Sequence, residues 1–185
     1  MPRPDDTMSL PLGHIRAALA QLATEPADEA AAGLLDLAAP RPGETVVDLG
    51  CRSLGHSFRA MQLVGAAGRV RGIVQSRADQ EHANALRDRW IFADLAFEHA
   101  DPEAVPLDDE VADVVLVNGA LEHTDEPIRV LEEACRLLAP KGRLALAVEA
   151  AEAARMGALL EVLGLEPRTA RPIRHGHRAL LALER

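Results

Sequence analysis

The clearest indication of the fold comes from residues 111–149, which read VADVVLVNGALEHTDEPIRVLEEACRLLAPKGRLALAVE. This stretch opens with a continuous apolar run, VADVVLVN (111–118), which is typical of a strand that is buried on both faces. An acidic pair followed by Pro127 predicts the start of a helix that ends before Pro140. The run RLALAVE (143–149) predicts a second buried strand. A strand, a helix and a strand in this order are typical of a parallel sheet.

The same alternation continues outward in both directions. Further strands are predicted at 44–50, 69–74 and 90–97, further helices at 56–66, 76–89 and 150–163, and a closing hairpin at 165–173 and 177–184. The sequence therefore predicts an α/β fold whose mostly parallel sheet has helices on both faces and antiparallel pairing at the carboxyl end.

The first forty residues have a different, helical pattern. One helix is predicted from Ser9 to about Ala23, and a second from about Pro26 to Ala39. We expect an N-terminal helical segment over 1–40 and an α/β domain over 41–185, packed as one compact domain, because 185 residues is the size of about one domain.

Composition excludes several classes of protein. A net charge of -9 and only one Trp, three Phe and no Tyr make nucleic acid an unlikely partner. No apolar run approaches the ~20 residues that span a membrane, and the amino-terminal residues do not resemble a signal peptide, so we expect a cytoplasmic protein. Two cysteines, Cys51 and Cys135, are too few for a disulfide framework, and we expect no metal site because His175 and His177 have no evident third ligand.

The carboxyl ends of the predicted strands carry the residues that suggest chemistry. In open α/β sheets, ligands bind beyond these ends. In VVDLGCRSLGHS (46–57) an acidic residue and glycines separate a strand from a helix, which is how a backbone approaches a nucleotide-like ligand. Glycines also occur in such turns for steric reasons alone, so the segment leaves both interpretations open.

Residues 111–149 resemble a long motif of the class I S-adenosylmethionine-dependent methyltransferases, particularly the compact group that includes ubiquinone-pathway and arsenite methyltransferases. With VVDLGC (46–51) and DPEAVPL (101–107), the resemblance covers roughly residues 40–150. It implies a Rossmann-like, seven-stranded sheet with a C-terminal antiparallel hairpin. It also implies S-adenosylmethionine as the cofactor and methyl transfer to a small-molecule or protein-bound acceptor.

The resemblance assigns roles to five positions. Asp48 and Gly50 would lie under the methionine half of the cofactor, Asp101 near the adenine amino group, and Asn118 beside the sulfonium. His123 faces the substrate in some relatives and is the candidate catalytic residue; the alternative is a helix-entry residue held by capping contacts.

The cofactor loop departs from the family pattern G-x-G-x-G. Arg52 and Leu54 stand where the second and third glycines are expected, and Gly55 follows one residue later, where it could supply the turn. Arg52 could bind an anion at the start of the next helix, or it could be an ordinary surface arginine. The sequence PKG (140–142) replaces the common PGG, and we expect this change to have little consequence.

The second strand also departs from the family pattern. Val74 takes the place of the acid that binds both ribose hydroxyls, and Gln75 is the nearest substitute. Loss of such a charge-assisted bond lowers affinity by about 10- to 150-fold.

These departures leave two functions open. One is a working methyltransferase whose cofactor binding is weakened or rearranged. The other is a catalytically inactive, methyltransferase-like protein that acts as a regulatory or scaffolding subunit. Either is compatible with a homo- or hetero-oligomer, and in the first case the N-terminal helices or a partner protein would complete the acceptor site.

Overall fold

The structure is a computed structural model. It describes residues 29–51, 54–88, 94–172 and 178–185, with the backbone alone at 29–32, 122–123, 167–172 and 178–180. The predicted helix Ser9–Ala23, the loop residue Arg52 and the tip of the closing hairpin lie outside the described residues.

Helices and strands alternate through the described part of the chain. The helices are α1 (Glu29–Ala38), α2 (Leu54–Val64), α3 (Arg77–Arg87), α4 (Pro127–Leu137) and α5 (Ala153–Val162), with a 3-10 helix at Ala120–His123. The strands are β1 (Thr45–Leu49), β2 (Arg69–Val74), β3 (Leu95–His99), β4 (Ala112–Val117), β5 (Leu138–Glu149), β6 (Glu166–Pro172) and β7 (Arg178–Glu184). None of these helices is both long and apolar enough to cross a membrane.

The seven described strands form one sheet in the order β3-β2-β1-β4-β5-β7-β6. The strands β1 to β5 pair in parallel, and β7 pairs antiparallel with both β5 and β6. This confirms the predicted α/β fold with its C-terminal antiparallel hairpin. The direction in which strands are added reverses between β1 and β4, and ligands of open α/β sheets bind at such a reversal.

Alternating side chains of the central strands enter two hydrophobic clusters, one on each face of the sheet. In β4, Val115 and Val117 pack with residues of α4 and α5, whereas Val114 and Leu116 pack with residues of α1, α2 and α3. All four valine and leucine side chains are buried. Burial on both faces explains why this strand is a continuous apolar run in the sequence.

Local signals set the starts of two helices. Ser76 precedes α3, and its Oγ accepts a hydrogen bond from Asp79 N at 3.0 Å and donates one to the Asp79 carboxylate at 2.6 Å. Ser76 thus caps the first turn of α3 by satisfying one of its free backbone N–H groups. Pro127 opens α4, whose buried Val130, Leu131 and Ala134 form a helical stripe.

The third strand lies later in the chain than predicted. The expected range was 90–97, of which 90–93 lie outside the described residues, and β3 runs from Leu95 to His99. Its start is set by Asp94, which forms ion pairs with Arg69 at 3.0 Å and Arg71 at 2.7 Å and accepts a backbone hydrogen bond from Val70. These contacts come from β2, so local sequence does not show them.

Residues 140–142, in the irregular first part of β5, have a conformational cost that the sequence did not reveal. Lys141 adopts a left-handed conformation, with φ of 67°. The family has glycine here, and a side chain in this conformation costs about 1–2 kcal/mol. The expectation that this change has little consequence stays a prediction.

Arg143, buried at the start of the regular part of β5, fixes the end of α1 against the sheet. Its guanidinium donates to the carbonyl oxygens of Ala38 at 2.8 Å and Ala39 at 3.2 Å, and to the Glu44 carboxylate at 2.6 Å. Burial raises the pKa of Glu44, but the bonds from Arg143 and from the backbone N–H of Arg41 outweigh it, so the net shift is downward. One side chain thus caps a helix and neutralises the carboxylate just before β1.

We predict that Arg143→Met lowers the free energy of unfolding by about 3 kcal/mol near neutral pH, because it leaves a half-buried carboxylate and two carbonyl groups unpaired. A lowered folded-state pKa stabilises the fold above the ordinary value of 4.5, and that stabilisation is lost as the pH falls through the folded-state value. Urea unfolding at about pH 7 and about pH 3.5 measures both effects.

The mutational cost should therefore shrink at the lower pH. Glu44→Gln is the matched variant, since it removes the charge and keeps the shape. An equal cost of Arg143→Met at both pH values would contradict the assigned ion pair.

Candidate functional site

Asp48 is a fully buried carboxylate near the carboxyl end of β1. In the register of the sheet it lies between Gly72 of β2 and Leu116 of β4. Ser57 Oγ, from the first turn of α2, donates to Asp48 Oδ2 at 2.8 Å, while Asp48 Oδ1 has no partner among the described residues. Burial raises the Asp48 pKa, and the charge of His56 and the bond from Ser57 oppose that shift.

Cys51 continues the sheet for one residue beyond β1. Its backbone N–H donates to Ile73 O at 2.9 Å, and its Sγ lies 3.1 Å from Ser57 Oγ. Burial, together with the nearby Asp48 charge, raises the pKa of the Cys51 thiol well above its ordinary value. A thiol in this environment stays protonated, so Cys51 serves packing and not nucleophilic chemistry.

Gly50 is held where no side chain fits. Its φ is +72°, and a Cβ built on it would lie 2.6 Å from Ala120 Cβ and 2.8 Å from Ala120 Cα. Ala120 begins the 3-10 helix that follows β4. The loop after β1 and the turn after β4 are therefore in backbone contact.

We predict that Gly50→Ala costs about 2–5 kcal/mol of unfolding free energy, from left-handed strain plus the collision with Ala120. Gly65→Ala is the matched control, because Gly65 has φ of +69° but nothing lies within 4 Å of its built Cβ. The control should lose only about 1–2 kcal/mol. Chemical denaturation of both variants measures the difference, and equal losses would refute the close contact.

The end of β2 offers few polar groups. Val74 is buried at 1% exposure and has no side-chain acceptor. Ser76 is committed to capping α3. Gln75, predicted as the substitute for the missing acid, is exposed between them.

Asp101 follows β3 in an exposed position and is fixed by its own loop. Its Oδ1 accepts from Glu103 N at 2.9 Å, and its backbone O accepts from Ala104 N at 3.0 Å. Thr124, just after the 3-10 helix, donates to the Glu103 carboxylate. The loops after β3 and β4 are thus joined.

Sequence reasoning missed the two residues of α4 that hold the loop after β3. The buried Glu133 accepts from Val105 N at 2.6 Å, and Arg136 donates to Val105 O at 3.0 Å and to Leu107 O at 2.8 Å. Bonds from Glu133 and Asp109 raise the Arg136 pKa, so its charge is permanent. The only sequence signal was an i,i+3 pair of opposite charges, which usually lies on a surface.

Asn118 is buried directly after β4, at 1% exposure. Gly119, with φ of 86°, then turns the chain into Ala120–His123. The backbone of His123 is described and its side chain is not, so its assignment as catalytic residue stays a prediction.

The predicted site residues fall at the carboxyl ends of four neighbouring strands. Asp48 and Gly50 end β1, Asn118 ends β4, and Gln75 and Asp101 follow β2 and β3. Gly55 is the second residue of α2 and is half-buried. The structure places these positions along one edge of the sheet, while their roles toward a ligand stay predictions.

The seven described strands occur in the order β3-β2-β1-β4-β5-β7-β6, and the last strand, β7, lies antiparallel between β5 and β6. This is the Rossmann-like fold of class I S-adenosylmethionine-dependent methyltransferases. The family profile described as "Methyltransferase domain" matches residues 47–146, more than half of the chain. The chain belongs to this family.

Individual proteins agree with this assignment. The chain is 37% identical over 120 residues to the 27-O-demethylrifamycin SV methyltransferase of Amycolatopsis mediterranei, a match that covers 62% of this chain and 41% of that protein. Matches to curated relatives such as this one span about a third to two-fifths of the relative's length.

Solved structures show the same fold. A methyltransferase from Aquifex aeolicus superimposes with a TM-score of 0.76 at 17% identity, covering 91% of this chain and 97% of that one. A chain of the complex between the Haloferax volcanii Trm112 methyltransferase activator and a methyltransferase gives 0.72 at 20% identity, covering 93% and 96%.

The described residues suit S-adenosylmethionine at Asp48 and suit it poorly at the end of β2. The unpartnered Asp48 Oδ1 suits the cation of an amino-acid end, because a buried acceptor without a donor costs about 1–3 kcal/mol. Asp101 and Asn118 lie at the ends of β3 and β4, and their roles toward the adenine and the sulfonium stay predictions. At the ribose, Val74 supplies no acceptor, which leaves Gln75 alone there among the described side chains at the end of β2.

Proposed function

We propose that this protein binds S-adenosylmethionine across the carboxyl ends of β1 to β4 and transfers its methyl group to a small-molecule or protein-bound acceptor. Membership of the methyltransferase family supports the reaction class. The observation that carries the proposal is the juxtaposition of the buried Asp48 and Asn118 on adjacent strand ends, beside a Gly50 backbone that touches Ala120.

Each residue has a separate task in this proposal. The cofactor-binding set is Asp48, Gly50, Arg52, Gly55, Gln75, Asp101 and Asn118. When bound, the cofactor supplies an electrophilic methyl group, so the protein contributes mainly alignment. His123 would take up the proton of an acceptor that must lose one.

The acceptor side remains part of the proposal. Thr124 bonds Glu103 and thereby joins the loops after β3 and β4, and Arg136 bonds the loop after β3. In this proposal the acceptor binds against these two loops. One structural relative occurs in a complex with a methyltransferase activator, which supports the proposal of a partner protein or an oligomer. The proposed location is the cytoplasm.

A second candidate function is a regulatory or scaffolding subunit without catalysis. The observation that favours it is Val74, an apolar core side chain at the position where the family carries a ribose-binding acid. The two candidates differ in one property, namely binding of the cofactor.

We predict that the purified protein binds S-adenosylmethionine and S-adenosylhomocysteine with micromolar affinity in a calorimetric titration. Asp101→Ala should weaken the affinity for each of the two ligands by about 10-fold, because it removes an acceptor proposed for the adenine amino group. Glu110→Ala is the control, since Glu110 is an exposed acid of the same loop that pairs with Arg185.

Absence of heat and of thermal stabilisation at millimolar ligand would reject the enzyme and favour the regulatory subunit. Binding that is unchanged by both Asp48→Ala and Asp101→Ala would instead reject the proposed placement of the cofactor.

We predict that Val74→Asp restores the ribose contact and tightens S-adenosylhomocysteine binding by about 10- to 150-fold. Without ligand the variant should unfold at a lower temperature, because a carboxylate replaces a buried apolar side chain. Val74→Asn has nearly the same shape without the charge and serves as control. Titration and thermal unfolding of both variants measure the effect, and equal affinities would show that position 74 does not contact the ribose.

A further inference from the structure

His56, at the start of α2, is buried and has a ring nitrogen without a hydrogen-bond partner in the described part of the chain. It is the third residue of that helix and is 4% exposed, and its Nε2 has no partner among the described residues. The first turn of α2 contains no acidic side chain. The positive end of the helix is therefore not offset by an acid of its own first turn, and an anion is favoured there.

A second unmet group lies close by. Asp48 uses one carboxylate oxygen to accept from Ser57, the residue after His56, and its other oxygen has no partner. The charge of His56 also lowers the pKa of Asp48 against the effect of burial, so the two groups are within electrostatic reach. His56 Nε2 and Asp48 Oδ1 do not bond each other, since both atoms lack a partner among the residues that the structure describes.

Among the described residues, the other ionisable groups near this cluster do not satisfy either atom. The Cys51 thiol contacts Ser57 Oγ and also bonds the Asp48 carboxylate, yet Asp48 Oδ1 stays without a partner in the described part of the chain. The Asp79 carboxylate of α3 accepts from Ser76. A carboxylate oxygen accepts only, and an imidazole beside a helix amino terminus suits an anion. Together they match a ligand group that carries an ammonium and a carboxylate side by side, which is the amino-acid end of S-adenosylmethionine.

We propose that His56 is a cofactor-binding residue that receives the carboxylate of this amino-acid end, while the free oxygen of Asp48 accepts from its ammonium group. The inference rests on the proposed function and adds to it a residue outside the family motif. It also explains why two polar atoms stay buried and unpaired in a well-packed region.

The test compares two probes on the same variants. S-adenosylhomocysteine carries the amino-acid end, and 5′-methylthioadenosine lacks it. His56→Phe keeps a ring of similar size and removes the polar atoms. It should weaken the affinity for S-adenosylhomocysteine by about 10- to 100-fold and change the affinity for 5′-methylthioadenosine by less than about threefold. His56→Gln, which keeps a donor near the Nε2 position, should lose less affinity.

Controls separate a binding role from a structural one. His82→Gln changes an exposed histidine of α3 and should leave both affinities unchanged. Circular dichroism checks the fold of each variant, and His56→Gln decides the question if His56→Phe does not fold. Equal weakening of both probes, or no weakening of either, would overturn the inference and leave the proposed function standing. Failure of the wild-type protein to bind any of these nucleosides would overturn both.

Discussion

The contact between Gly50 and Ala120 is the constraint on which the candidate site depends. Because no Cβ fits between the two backbones, the chain after β1 and the chain after β4 meet at a fixed separation. The order of strands reverses between β1 and β4, so this contact lies where an open α/β sheet forms its ligand crevice. The parallel pairing of β1 with β4 places Asp48 and Asn118 on adjacent strand ends, although the two residues are far apart in the sequence.

Buried charges in this protein fall into two kinds, and the difference separates scaffold from site. Arg143 with Glu44, and Arg136 with Glu133, have several partners each and join elements that are distant in sequence. Asp48 and His56 each retain an unpaired atom in a fully buried position. A well-packed protein leaves few such atoms, and those that persist concentrate at functional sites. Asn84 Oδ1 of α3 is a third such atom in the described part of the chain, so the unpaired atoms of Asp48 and His56 support the proposed site only together with their position at the end of β1 and the start of α2.

The sequence predicted the central strands to within about one residue, because β1, β2 and β4 are buried on both faces and appear as continuous apolar runs. It misplaced β3, whose start depends on the ion pairs of Asp94 with Arg69 and Arg71. It also could not show that Lys141 is left-handed, since that residue lies at a register irregularity in the first part of β5. For the site, the expectation that ligands bind beyond the carboxyl ends of parallel strands pointed to Asp48, Asp101 and Asn118. Unpaired atoms such as His56 Nε2 are visible only in the three-dimensional structure.

The altered end of β2 has a different meaning for affinity than for catalysis. Under the proposed function, a ribose contact binds the cofactor equally in the ground state and in the transition state. Loss of such uniform binding raises the cofactor concentration that is needed and does not by itself slow methyl transfer. In the same proposal, alignment of the methyl group is assigned to the ends of β1 and β4, where Gly50, Asp48 and Asn118 are retained and buried or closely packed. The replacement by Val74 is thus an argument for a weakly bound cofactor more than for a lost reaction.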